Sequence, residues 1–259
     1  MILLADIGNT HTHFGWADRK RLRKTRNVPT AGLSPGDLSR TLRAWLGDVA
    51  VEGACVCSVV PSVTGPVLQA LREVTGVSPL ILDPGKLPGL RVSYPRPRTI
   101  GADRLAGAVA ARWHFGQPVL VVGCGTATTF DVVDREGCFV GGVIAPGLGM
   151  LTDVLYERTA LLPRVRLREP RRVVGRSTRE AMVSGAVVGY RGLVFGILRE
   201  IRRETGLPRL KAVATGGNAA WISTVPGIHA VQPHLVLEGL RLTWESRLPV
   251  AQSSSQSRI

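Results

Sequence analysis

Two short stretches of the chain carry the residue types that phosphate chemistry needs. Asp6-Ile7-Gly8-Asn9-Thr10 sets a carboxylate at the end of an apolar run, then a tight glycine turn with Asn and Thr. Glycine lets the backbone approach a phosphate closely, and turn amides with Asn and Thr side chains donate to its oxygens. The carboxylate suits hydrated Mg²⁺, which keeps several of its waters. A second turn, Gly125-Thr126-Ala127-Thr128-Thr129, offers similar donors. Overlaid without gaps at an offset of 117 residues, Gly8 falls on Gly125, Thr12 on Thr129 and Asp6 on Gly123. Each stretch alone is equally a hairpin turn rich in Gly and Thr. Their recurrence at the heads of matching segments points to two turns that clamp phosphates from both sides.

Gly101-Ala102-Asp103-Arg104 opens a helix. It reads either as a helix cap with a surface pair, or as a base (Asp103) beside an anion clamp (Arg104). The second reading fits a hydroxyl acceptor that carries a negative charge. Lys211-Ala212-Val213-Ala214-Thr215-Gly216-Gly217-Asn218 is a strand running into paired glycines. It is an ordinary strand-to-helix turn or a flat seat for adenosine. No G-x-x-x-x-G-K-[ST] occurs, which excludes a P-loop, and no G-x-G-x-x-G opens a helix after a strand. Cys55, Cys57, Cys124 and Cys138 form no C-x-x-C pair, and the five histidines suggest no ligand set. Buried free thiols are expected.

The elements that must position these residues follow from apolar spacing. Strands are predicted over 2–6, 11–17, 21–28, 53–60 and 79–82. A helix starts at Ser34-Pro35, and Pro66 opens another. Residues 83–99 are a proline-rich connector. After a helix over 102–113 the opening pattern returns, with strands at 119–122, 128–133 and 138–144. Helices are expected over 148–161 and 177–204, then a strand at 211–215 leading into another helix. The strand and helix order implies mixed sheets. The Ser-rich end, 251–259, is expected to be disordered.

The chain has 259 residues, 44% of them hydrophobic and 20% charged, which excludes a disordered or collagen-like chain. No apolar run approaches the ~20 residues of a membrane span. Met1–Asp6 lacks a basic region and meets a carboxylate early, so a cytoplasmic protein is expected. The net charge is +14, from 29 arginines and four lysines against 19 acids. Arginine-biased codon usage explains this excess as well as an anionic partner does. The densest run, Arg164 to Arg179, holds seven arginines.

Taken together these motifs resemble the type III pantothenate kinases, in the superfamily of acetate and sugar kinases, Hsp70 and actin. The resemblance runs over nearly the whole chain. It includes Asp6–Thr10, Gly101–Arg104, Gly125–Asp131, Gly141–Gly147 and Gly175–Thr178. It continues through Glu180–Met182, Ser184-Gly185, Thr215–Gly217 and Leu237–Leu240. It implies an α/β fold of duplicated ribonuclease H-like, actin-like lobes with a nucleotide cleft between them, here 1–113 and 114–259. It implies ATP-dependent phosphorylation of pantothenate to 4'-phosphopantothenate, with Asp103 as general base. An ordinary aspartate, with a pKa near ~3.9, is ionised at neutral pH and accepts the proton late in the step.

The resemblance also assigns positions. Asp6, Ile7, Gly8, Asn9, Thr10, His11, Thr12 and His13 match the first phosphate segment, and Thr126 an ATP contact. Tyr94, Gly101, Ala102, Arg104 and Thr178 match substrate positions, with Arg104 suited to the pantothenate carboxylate. Asp6 would hold Mg²⁺ through water. A homodimer and a monovalent cation, K⁺ or NH₄⁺, are implied. At Gly123 the family pattern has a carboxylate that binds this cation. Its loss leaves a second reading open, a weakened or silent paralogue that acts as a nucleotide-binding or regulatory protein, or binds nucleic acid through the arginine-rich run.

Overall fold

The computed structural model describes residues 1–247, so the 251–259 expectation lies outside the described residues. Two mixed sheets share one strand order. The first contains β1 (Ile2–Ile7), β2 (His11–Ala17), β3 (Leu22–Pro29), β4 (Gly53–Ser58) and β5 (Leu80–Ile81), in the order β3-β2-β1-β4-β5. The second contains β6 (Arg91–Val92), β7 (Val119–Cys124), β8 (Ala127–Val133), β9 (Cys138–Pro146), β10 (Lys211–Thr215) and β11 (Ile228–Val231). Its order is β11-β10-β7-β8-β9-β6. In each sheet the first three strands run antiparallel and the next two join parallel to the leading strand. The added strand β6 comes from the proline-rich connector and pairs parallel to β9. This is the duplicated ribonuclease H-like fold.

Among the described residues six α-helices complete a layered stack: α1 (Pro35–Leu46), α2 (Pro61–Thr75), α3 (Ala102–Phe115), α4 (Leu148–Arg158), α5 (Thr178–Thr205) and α6 (Leu235–Glu245). Strand side chains alternate between faces. Leu3, Ala5 and Ile7 of β1 therefore pack outward with Leu42, Val67 and Leu71 of α1 and α2. Ile2 and Leu4 point inward to Leu105, Val109 and Leu240 of α3 and α6. In the second sheet Val119 and Val121 face that same central layer, while Leu120, Val122 and Cys124 face Tyr190, Val194 and Leu198 of α5. By this parity Asp6 and Gly123 both belong to the central layer. Helices α3 and α6 lie so close that a Cβ on Gly239 would sit 1.9 Å from the Ala106 carbonyl oxygen.

Some expectations need correction. Helix α2 starts at Pro61, where a missing N–H costs nothing, and carries Pro66 inside it. After Gly216-Gly217-Asn218 the chain makes a short 3-10 turn, Ala219–Ile222, in place of a full helix. Strand β11 and helix α6 have no counterpart in the sequence reading. Helix α6 is wedged between layers and buries Leu235, Leu237, Leu240, Leu242 and even Arg241. Helix α5 is long and apolar enough to cross a membrane by length and composition, with mean hydropathy 1.6 over its most apolar window. Every such window contains Arg191, which donates to the Trp221 carbonyl and to Glu169, and the helix packs Tyr190, Val194 and Leu198 into the outer core.

Candidate active site

Both glycine turns lie at the same end of their sheets. Strand β1 delivers Asp6, flanked by His13 on β2 and Cys57 on β4. The Gly8 amide donates to the His11 carbonyl at 3.1 Å and closes the turn. Asn9, Thr10 and His11 are exposed there. Ile7 is buried in the outer core, so only its backbone faces the turn. Thr12 is also buried: its hydroxyl meets that of Thr30 at 3.0 Å, and Thr30 donates to the Gly8 carbonyl at 2.7 Å. Thr12 thus braces the turn from below. His13 Nδ1 lies 2.7 Å from Asn27 Oδ1.

The second turn comes to the first. Thr10 Oγ1 and Thr126 Oγ1 are 2.9 Å apart, so one hydrogen bond joins the two loops across the cleft. Behind the second turn, the Asn218 amide donates to the Cys124 carbonyl at 3.1 Å. Gly217 leaves open space beside it. The overlay at a constant offset is corrected here. Ile7 pairs with Thr12, but Cys124 pairs with Thr128, so the second loop is one residue shorter. Thr12 therefore corresponds to Thr128, whose buried hydroxyl is 2.9 Å from that of Tyr190, and Thr10 corresponds to Thr126.

Between the sheets, α3 points its N-terminus at the cleft. Gly101 precedes it, Ala102 is its first residue, and Asp103 lies in its first turn. Burial pushes the Asp103 carboxyl above its ordinary range, opposed by the Arg104 amide, the Arg104 charge and its own amide. Asp6 is pushed up to about 7, chiefly by burial and then by the charge of Asp103. The Cys57 thiol, donating to Asp6 Oδ1 at 3.4 Å, opposes the rise. A carboxylate raised by burial and by a neighbouring carboxylate, as Asp6 is by Asp103, gains from a cation beside it. Among the described residues no three His, Cys, Asp or Glu gather as a metal cage. That donor set suits Mg²⁺, held by one carboxylate and water.

Arg104 reaches across to the second sheet. Its Nε donates to Asp131 Oδ1 at 2.7 Å, and its Nη2 lies 2.6 Å from the same oxygen as an ion pair. Asp131 is fully buried, and burial lifts it to about 6 against the pull of Arg104. Tyr94 follows β6, and a Cβ on Gly141 would lie 3.8 Å from its ring, one residue from Gly142, which crowds Arg104. Tyr94 and Arg104 thus share a wall. Thr178 begins α5, exposed, with no hydrogen bond to the cleft among the described residues. Gly123 faces Thr129 across β7 and β8, and a Cβ there would be 2.6 Å from Thr129 Oγ1. In the sequence Thr129 reads as a donor of the second turn and Asp131 as the end of a matched motif; strand register brings both, with Cys57, to the central face.

Comparison with known proteins bears on this cleft. The family model for Type III pantothenate kinase matches residues 2–200. A type III pantothenate kinase of Akkermansia muciniphila is 45% identical over 242 residues, covering 93% of this chain and 96% of that protein. One from Methylacidiphilum infernorum is 40% identical over 250 residues, covering 94% and 88%. Among solved structures, the ethanolamine utilization protein EutJ from Carboxydothermus hydrogenoformans matches with a TM-score of 0.55 at 14% identity, covering 93% and 89%. That likeness speaks to the fold alone.

Proposed function

The chain belongs to the type III pantothenate kinase family, and from that premise we propose how its residues divide the work. The reaction is ATP-dependent phosphorylation of pantothenate to 4'-phosphopantothenate, the first step toward coenzyme A. The terminal hydroxyl oxygen attacks the γ-phosphorus, the bond to the β–γ bridging oxygen breaks, and ADP leaves. The hydroxyl proton passes to the Asp103 carboxylate. A base raised above an ordinary aspartate by burial is better matched to that proton than a free carboxylate.

The observation that carries this reading is the meeting of three parts in one cleft. The Thr10 and Thr126 hydroxyls touch across the two turns, and the start of α3 brings Asp103 and Arg104 between the sheets. In this reading the amides of Asn9 and Thr10 and the hydroxyls of Thr10 and Thr126 hold the phosphates, while the Gly8 amide holds the turn closed. Gly217 leaves a face open for adenosine. Asp6 would hold a hydrated divalent ion, which when bound neutralises phosphate charge. Arg104 binds the pantothenate carboxylate, with Tyr94, Gly101 and Ala102 beside it.

The monovalent cation implied by the resemblance does not fit the residues at its expected position. Gly123 offers no carboxylate, and the Thr129 hydroxyl crowds the space where one would begin. No step is routed through such an ion. For the homodimer, the supporting feature is an apolar groove of about 600 Å³ between α4 and α5, lined by Leu151, Leu155, Met182 and Leu193. Exposed Met150, Val154 and Phe195 belong to the same two helices, and a second copy would cover them and bring Thr178 of the partner toward a cleft. Light scattering in solution tests this, and a monomer at micromolar concentration rejects it. The activity is tested by incubating the purified protein with Mg-ATP and pantothenate and following phosphopantothenate by mass.

A further inference from the structure

We propose that Asp131, braced by the Thr129 hydroxyl, is a positioning residue that aims the free edge of Arg104 at the pantothenate carboxylate, and that in this chain Gly123 leaves that hydroxyl room to turn to Asp131. The inference rests on Arg104 being the carboxylate clamp. On one edge of the guanidinium, Nε donates to Asp131 Oδ1 and Nη2 is ion-paired to the same oxygen. The other oxygen, Oδ2, accepts from Thr129 Oγ1 at 3.1 Å. Nη1 makes no hydrogen bond among the described residues. The Phe139 ring covers one side, its centroid 5.7 Å from Arg104 Cζ. Gly142 closes another, since a Cβ there would lie 3.1 Å from Nη2. The guanidinium is therefore fixed in plane with one edge left for a second anion, and its side chain is only 14% exposed.

A paired arginine usually spends its charge on its partner. Here the carboxylate also accepts from Thr129, and one edge of the guanidinium, Nε and Nη2, faces a single oxygen. That geometry holds direction and leaves Nη1 for substrate. A Cβ at residue 123 would lie 2.6 Å from the Thr129 hydroxyl and displace it, so Gly123 leaves that hydroxyl free to face Asp131.

The test compares pantothenate with its alcohol analogue, in which the carboxylate is reduced to a hydroxymethyl group, used both as substrate and as competitive inhibitor. For Asp131→Asn the preference for pantothenate over the alcohol falls about 10-fold, and the KM for pantothenate rises far more than kcat falls. Thr129→Val and Gly123→Ala shift the preference in the same direction by about 3-fold, and Thr129→Ser restores it. Thermal melts report which variants fold. If Asp131→Asn does not fold, Thr129→Val and Gly123→Ala decide, and an unchanged preference in both overturns the proposal. Arg104→Lys separates the two layers of the argument. If it keeps the preference, Arg104 is not the clamp and the inference falls with it. If it loses the preference while folded Asp131→Asn keeps it, the clamp stands and the role of Asp131 is rejected.

Discussion

In the first sheet the hairpin β1–β2 ends its leading strand with Asp6 and has Gly15 on the returning strand. In the second sheet the equivalent hairpin β7–β8 has Gly123 at the first place and Asp131 at the second. Both carboxylates face the central layer and both are lifted by burial, Asp6 to about 7 and Asp131 to about 6. Their partners differ. Asp6 has a weak thiol donor and a neighbouring carboxylate, so its charge is poorly compensated within the chain. Asp131 has a buried arginine and a hydroxyl. A duplicated scaffold thus places the same charge on opposite strands for opposite ends of the reaction: one toward a cation and phosphates, one toward the group that anchors the acceptor.

The comparison breaks most visibly at Asp6. Asp6→Asn should lower kcat by about 10³-fold, as loss of charge organisation at a transferring phosphoryl group does. The same change should stabilise the protein without ligands. A carboxylate whose folded pKa is about 7 and free value 3.8 takes up protons on folding between those values, so stability falls as pH rises through that window. Asp6→Asn should therefore melt higher by about 5 °C at pH 8 and show little difference near pH 4. Equal melting at both pH values would mean that Asp6 is not a buried uncompensated charge.

A smaller effect concerns the phosphate clamp. Thr126→Ala removes one half of the hydroxyl pair and should raise the KM for ATP about 5-fold with less change for pantothenate. A larger change for pantothenate would move Thr126 out of the nucleotide half. Smaller again is the cation response. With no carboxylate at residue 123, exchanging K⁺ for Na⁺ at constant ionic strength should alter turnover by less than about 2-fold. A steep K⁺ requirement would show that other oxygens rebuild the site.

Much of this was legible in the residues. Alternating apolar positions gave the strands of both hairpins, and the helix that presents Asp103 and Arg104 began where Gly101 and Ala102 placed it. The family resemblance held over most of the chain. What stayed hidden depends on register and close packing. An ungapped overlay could not see that one turn is shorter, so Thr12 was matched to Thr129 when its buried counterpart is Thr128. Asp131 was only the last residue of a matched motif until pairing with the β7 strand fixed its face. Helix α6 buries an arginine along with its leucines, because Arg241 finds Glu238 and Glu245 on its own helix. No periodicity argument anticipates that.

The most direct measurement is the pH dependence of phosphopantothenate formation by the purified protein and its Asp103→Asn variant, with saturating Mg-ATP. The parent should turn over, with an acid limb lying above the 3.8 of an ordinary aspartate, because activity needs Asp103 ionised and burial raises it. Asp103→Asn should lose about 10³-fold in kcat and lose that limb. Undiminished turnover in the variant, with the same acid limb, would contradict the assignment of Asp103 as the base.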